Sequence, residues 1–288
     1  MSSSPSDMSK TELLTRDAVF AESPRWHQGE LWFSDVHDYA LKAVDLQGRV
    51  TRRAEVPGRP AGIGFMPDGR LLLATARDRK LNWVSPDGSL TLAADLASHG
   101  ATLLNDMVVD GRGRAYVGDT GFDFAAGDTP APGRVFLFTE DGNVRVAAED
   151  VTFPNGCAVS ADGSQYFVAE TLASRVSRFE IADDGLLINR TVFAQLDSPP
   201  DGLCLDAAGG VWIAQPHAGR FLRLARDGSV DQEVLSAAPF AVACVLGDET
   251  RSTLFMSSAD TDLQRLSKGD SKGRIDTVNV AQPGAGWP

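Results

Sequence analysis

Ala161-Asp162-Gly163-Ser164-Gln165-Tyr166-Phe167-Val168-Ala169-Glu170 reads as a tight turn followed by a short strand. Asp-Gly supplies the backbone freedom that a hairpin turn demands. The aromatic and branched residues after it suit a pleated surface. The same phrase returns as Gln28-Gly29-Glu30-Leu31-Trp32-Phe33-Ser34-Asp35, as Pro67-Asp68-Gly69-Arg70-Leu71-Leu72-Leu73-Ala74-Thr75, and as Gly111-Arg112-Gly113-Arg114-Ala115-Tyr116-Val117-Gly118-Asp119. It returns again as Ala207-Ala208-Gly209-Gly210-Val211-Trp212-Ile213-Ala214. A looser copy uses Asp248-Glu249-Thr250-Arg251 as the turn before Leu254-Phe255-Met256-Ser257-Ser258.

Each copy leads into a further short strand and turn. The turns are Gln47-Gly48, Asp87-Gly88, Asp141-Gly142, Asp184-Gly185 and Asp227-Gly228. For the last copy, the spacing predicts a strand over 263–267 before Gly269-Asp270. The turn glycines stand about 40 to 50 residues apart, the period of a four-stranded propeller blade. No stretch carries a helical period. The reading is therefore all-β: a six-bladed β-propeller of four-stranded antiparallel blades around a central channel. One domain over 13–284 follows a disordered tail over 1–12. A strand near 12–19 is expected to join the last blade and close the ring, because an open edge invites aggregation.

Composition narrows the function. The 288 residues carry a net charge of −12, which makes nucleic acid and anionic membranes poor partners. No apolar run reaches the ~20 residues that span a bilayer. The Ser-rich start lacks the apolar core of a secretory signal. Cys157, Cys204 and Cys244 are an odd set at wide spacing, neither a disulfide framework nor a zinc site. A cytoplasmic location is the expectation.

Aligning the copies on their turn glycines places Glu22, Ala61, Asn105, Asn155, Asp201 and approximately Val242 at one phase, at the start of each innermost strand. Pseudo-rotational symmetry carries equivalent positions to one height around one axis. Glu22, Asn105, Asn155 and Asp201 would then converge. Two carboxylates and two amide oxygens make a hard donor set for one divalent metal ion, Ca2+ before Mg2+, Mn2+, Zn2+ or Fe2+. The alternative for any single Asn or Asp before Gly is a turn residue. A metal there would polarise a carbonyl or phosphoryl oxygen, with Asp201 as general base or nucleophile. Asp106 adjoins this set, as a substrate contact or an orienting residue.

Other candidates are weaker. No GxSxG supports a serine nucleophile. His27 and His37 read as surface residues, and His217 is the histidine nearest the channel mouth. Trp32, Phe33 and Trp212 read as packing between blades. The insertion 121–133, with Phe122 and Phe124, is long for a hairpin and suits a substrate wall or an ordinary surface loop.

The motifs Ala21-Glu22-Ser23-Pro24-Arg25-Trp26, Leu104-Asn105-Asp106, Pro154-Asn155-Gly156 with Ser160-Ala161-Asp162-Gly163, and Pro200-Asp201-Gly202 with Trp212-Ile213-Ala214 carry a family resemblance. Over roughly 18–280 the chain resembles the gluconolactonase-like group that includes regucalcin and the luciferin-regenerating enzyme. The resemblance implies a metal held by Glu22, Asn155 and Asp201, with Asn105 completing the shell or touching substrate. It implies lactone hydrolysis with Asp201 as base. The same four residues resemble the site of calcium-dependent phosphotriesterase propellers. Sugar-lactone members carry an Arg two residues before the Asn. Here that place is Leu103, beside Leu104, which implies a less polar lactone or ester. Leu103, Asn105, Asp106 and Phe122 are the expected substrate contacts. A non-catalytic calcium- or partner-binding propeller is the reading from a different class.

Overall fold

The computed structural model describes residues 10–285. Of the expected tail, residues 1–9 lie outside the described residues, and Glu12 already belongs to a strand.

Six sheets of four antiparallel strands form the fold. The innermost strands are Ala21–His27, Pro60–Phe65, Leu104–Val109, Pro154–Val159, Leu203–Leu205 and Phe240–Gly247, in blades 1 to 6. Each touches the next, and the sixth touches the first, so the ring is closed. The strand Glu12–Ala18 pairs antiparallel with Lys272–Asn279, giving blade 6 an outer strand from the start of the chain. Both ends of the sequence thus lock one sheet, as the closure argument requires.

Blades adhere through apolar side chains between neighbouring sheets. Trp26 of blade 1 stacks on Phe255 of blade 6 with ring centroids 5.2 Å apart. Phe33 lies fully buried in the same cluster, and Trp212 is fully buried against Ala241, Cys244 and Met256 of blade 6. The three cysteines are free and buried. Among the described residues, no helix is long and apolar enough to cross a membrane.

The segment 263–267 is not a strand. Leu263–Leu266 is a turn of helix, and the third strand of blade 6 is Lys272–Asn279. The Asp262 carboxylate accepts the Arg265 N–H at 2.9 Å, an N-cap that favours helix over strand. The loop inserted there lies between the second and third strands of blade 6, so Gly269-Asp270 precedes the third strand instead of following it.

One local irregularity positions the site. The inner-strand register slips between Glu22 and Arg25, Pro60 and Ile63, Leu104 and Met107, Pro154 and Cys157, and Ala241 and Ala243. In blade 5 the ladder begins only at Leu203, just past Asp201. A bulge gives one residue no ladder partner and re-aims its side chain. Here it falls at or beside the phase identified from sequence. The pairings Phe240 with Ala259 and Ala21 with Asp35 fix the sixth member as Ala241, one residue before Val242.

Candidate functional site

Glu22, Asn105, Asn155 and Asp201 line one cavity of about 610 Å³, together with Ala61 from blade 2. Each comes from a different blade. The residue after the phase position governs how closely the blades approach. In blade 5 it is Gly202, where a Cβ would stand 2.2 Å from that of Ala243. Any side chain there would drive blades 5 and 6 apart.

In blade 3 the same position is Asp106. Its side chain reaches past Gly62 of blade 2 to blade 1, where Ser23 Oγ donates to Oδ1 and Arg25 donates to it at 3.0 Å. The Met107 N–H donates to Oδ1 at 2.8 Å, and the Cys157 N–H of blade 4 reaches Oδ2 at 3.4 Å. Asp106 was expected to contact substrate. Its carboxylate borders the cavity but is committed to an ion pair that ties blades 1, 3 and 4.

The amide groups are oriented by neighbours. Asn105 Nδ2 donates to Pro154 O at 3.1 Å. Asn155 Nδ2 donates to Thr171 Oγ1 at 3.2 Å, and that hydroxyl donates to Pro200 O at 2.9 Å. With the nitrogens engaged, each amide oxygen is the end left for a ligand.

The carboxylates are strained electrostatically. Burial raises the Glu22 pKa, and the charges of Asp201 and Asp106 raise it further. Burial likewise raises that of Asp201, with Asp106 adding to it and a hydrogen bond from Asn155 opposing. Asp201 Oδ1 is buried without a hydrogen-bond partner. An orphaned carboxylate oxygen beside a second half-buried carboxylate is costly unless a cation neutralises both. The residues present therefore fit a hard divalent ion. Among the described residues, no group of three or more His, Cys, Asp or Glu side chains stands in metal-holding geometry. The donor set here is half amide.

Leu103 lines the cavity. Phe122 does not. It is buried, edge-on to Phe153 at 5.5 Å, and the neighbouring Asp123 and Phe124 of the same loop border the cavity instead. His37 is not a surface residue. It lines the cavity, stacks on Phe20 at 5.3 Å and bonds Ser271 Oγ through Nδ1 at 3.0 Å. His217 also lines the cavity, edge-on to Phe240 at 5.7 Å. His27 stacks on Phe65 outside it.

A second set of residues escaped the sequence reading. Asp35, Asp119 and Glu170 end the second strands of blades 1, 3 and 4 and are fully buried. Asp35 accepts the N–H groups of Val19 and Phe20 at 3.0 and 2.7 Å. Asp119 accepts those of Thr102 and Leu103 at 3.0 and 2.9 Å, and Glu170 that of Thr152 at 2.8 Å. Each clamps the segment just ahead of a site residue. The signal was present, since three of the repeated phrases end in an acid.

Glu170 has a measurable signature. Burial alone would raise its pKa, but Arg175, Ser177, the Thr152 N–H and Arg190 together hold it down at about 2. A depressed folded-state pKa stabilises above the ordinary carboxylate range and is lost as pH falls toward the folded value. The thermal midpoint is thus expected to drop from about pH 4.5 toward 2, more steeply in the wild type than in Glu170→Gln. Parallel profiles for the two proteins would contradict this.

Carboxylates and amides from four blades of a six-bladed propeller, lining one cavity, define a class of propellers with an oxygen-lined pocket. The chain belongs to the SMP-30/gluconolactonase/LRE-like family, whose region matches residues 20–260. It is similar to pentonolactonase XacC of Haloferax volcanii, at 26% identity over 289 residues and 96% of each chain. It is also similar to the 6-deoxy-6-sulfogluconolactonase of Pseudomonas putida, at 24% identity and 96% of each chain. Among solved structures, the regucalcin of Agrobacterium tumefaciens, described as a calcium-binding protein, superposes with a TM-score of 0.83. That pair shares 22% identity over 97% of both chains.

Proposed function

We propose that the protein is a metal-dependent lactonase, with a calcium ion held by Glu22, Asn155, Asp201 and Asn105. The observation that carries this reading is the buried, unpartnered Asp201 Oδ1 beside a second carboxylate in a substrate-sized cavity. Relatives named as lactonases support the reaction class. A relative described as calcium-binding supports the ion.

When bound, the ion would polarise the lactone carbonyl and acidify water. The chain does the rest. The Asp201 carboxylate accepts a proton from the attacking water, and the conjugate acid then returns it to the ring oxygen as the ester bond breaks. Asn105 and Asn155, held by Pro154 O and Thr171, keep their oxygens fixed and need no reorganisation. Leu103 and Phe153 give the lactone ring an apolar wall that limits bulk water.

Hydrolysis of a lactone panel and paraoxon, with and without chelator and with metals restored, tests the reading. Lactone turnover is expected to vanish in chelator and return with calcium. Calcium at 100 times its Kd should also add about 2.7 kcal/mol of stability. Paraoxon turnover without lactone turnover would favour a phosphotriesterase. Calcium binding with no turnover would favour a binding module.

A further inference from the structure

The insertion between the second and third strands of blade 6 is held in place from several sides. Arg265 of its helical turn pairs with Asp260 at 3.0 Å and with Asp270 at 2.9 Å. The Thr261 hydroxyl donates to Asp270 O at 2.8 Å, and Ser271 bonds His37 of blade 1 at 3.0 Å. An isolated exposed ion pair contributes little, but pairs that share one arginine fix its geometry. Leu266 packs on the cluster of Phe20, Val36 and Phe240, from blades 1 and 6. Leu263 and Leu266 both line the cavity, and Leu263 is 43% exposed.

The lining changes character around the ring. Arg59, Arg77 and Asp123 belong to blades 2 and 3. Blade 6 lies across the ring from blade 3, and its sector presents Phe20, Val36, Phe240, Leu263 and Leu266. Among the described residues of that sector, Lys268 is the one charged side chain, and it is exposed. His37 and His217 stand at its two ends, against Phe20 and Phe240. Tyr39, Phe124, Leu172 and Leu263 are large exposed apolar side chains, and all four border this cavity. Apolar surface that runs from inside a cavity to its exposed rim marks a binding surface. Phe20 already gives a face to His37, and the leucines add branched methyl groups. Such a surface suits a flexible hydrocarbon chain better than a flat aryl group.

We propose that the blade 6 insertion determines specificity, and that the lactone taken here carries an alkyl chain that rests on Leu263, Leu266, Phe20 and Phe240. This rests on the lactonase reading. The reacting ring lies on the Leu103 and Phe153 side, and the chain runs toward blade 6.

Two measurements on the calcium-loaded full chain test it. The first compares γ-butyrolactone with γ-octalactone, the same ring bearing a butyl chain. Each methylene taken fully out of water is worth about fourfold in affinity. With the chain partly covered, γ-octalactone is expected to show a kcat/KM at least about thirtyfold higher, mostly from a lower KM. Leu263→Ser should cut that advantage at least about threefold, and Leu263→Met should keep it. Equal turnover of the two lactones, a higher kcat/KM on glucono-δ-lactone than on γ-octalactone, or an advantage unchanged by Leu263→Ser would overturn the proposal. The second is calorimetric titration with butylcyclopentanone and cyclopentanone, which have no ester to hydrolyse. The butyl ketone is expected to bind more tightly, by a factor that falls in Leu263→Ser. Equal affinity for the two ketones rejects the subsite. Tighter binding of the butyl ketone by a protein that hydrolyses no lactone would reject the lactonase reading and leave the apolar subsite standing.

Discussion

Asp201→Asn is expected to lower kcat on any lactone the wild type hydrolyses by about three orders of magnitude, within the range for loss of a general base. The side chain keeps an oxygen for a cation but no longer accepts a proton. A purely structural role would give a different pattern. Glu22 and Asp201 are both buried, and the charge of Asp201 disfavours the ionised Glu22 carboxylate. Removing one charge should leave the chelated protein at least as heat-stable as chelated wild type. Calcium should then stabilise the variant less than it stabilises the wild type. Turnover within tenfold of wild type would remove Asp201 from the mechanism.

Asp106→Ala should produce the largest stability loss at the site. The substitution strands the Arg25 guanidinium, which is almost fully buried, and removes the acceptor for Ser23 and the Met107 N–H. Breaking one side of a buried pair costs about 3 to 5 kcal/mol, which lowers the thermal midpoint by roughly 10 °C in a chain of this size. Asp106→Leu combined with Arg25→Met should recover much of the loss, because the orphaned charge goes with its partner. A single variant within about 1 kcal/mol of wild type would show that the pair is not what joins blades 1 and 3.

Much of this architecture could be read in the sequence because the repeat is written in turn chemistry. The Asp-Gly and Gly-Arg turns gave the blade period, and counting back from them reached Glu22, Asn105, Asn155 and Asp201. Three features were hidden. The helical turn at Leu263–Leu266 sits in an insertion, where the count loses phase. The pairing of Asp106 with Arg25 spans 81 residues and passes over a glycine in the intervening blade, so no local pattern announces it. Phe122 and Phe124 are alike in sequence, and only packing against Phe153 decides which one is withdrawn from the cavity. By contrast, the acids ending the second strands were in plain sight but carried no meaning until their backbone donors were placed.

The antiparallel seam that closes blade 6 also sets how the protein yields to force. Glu12 faces Thr277 at the end of the seam nearest both termini, and Ala18 faces Gly273 at the far end. Tension applied between the two ends of the chain would therefore load this seam as a zipper, parting its hydrogen bonds one after another rather than shearing them together. Tethered by its ends, the molecule would first release residues 283–285 from Leu205, Ala207 and Arg251, and then open along the outer edge of blade 6 with the inner strands of the ring still in place.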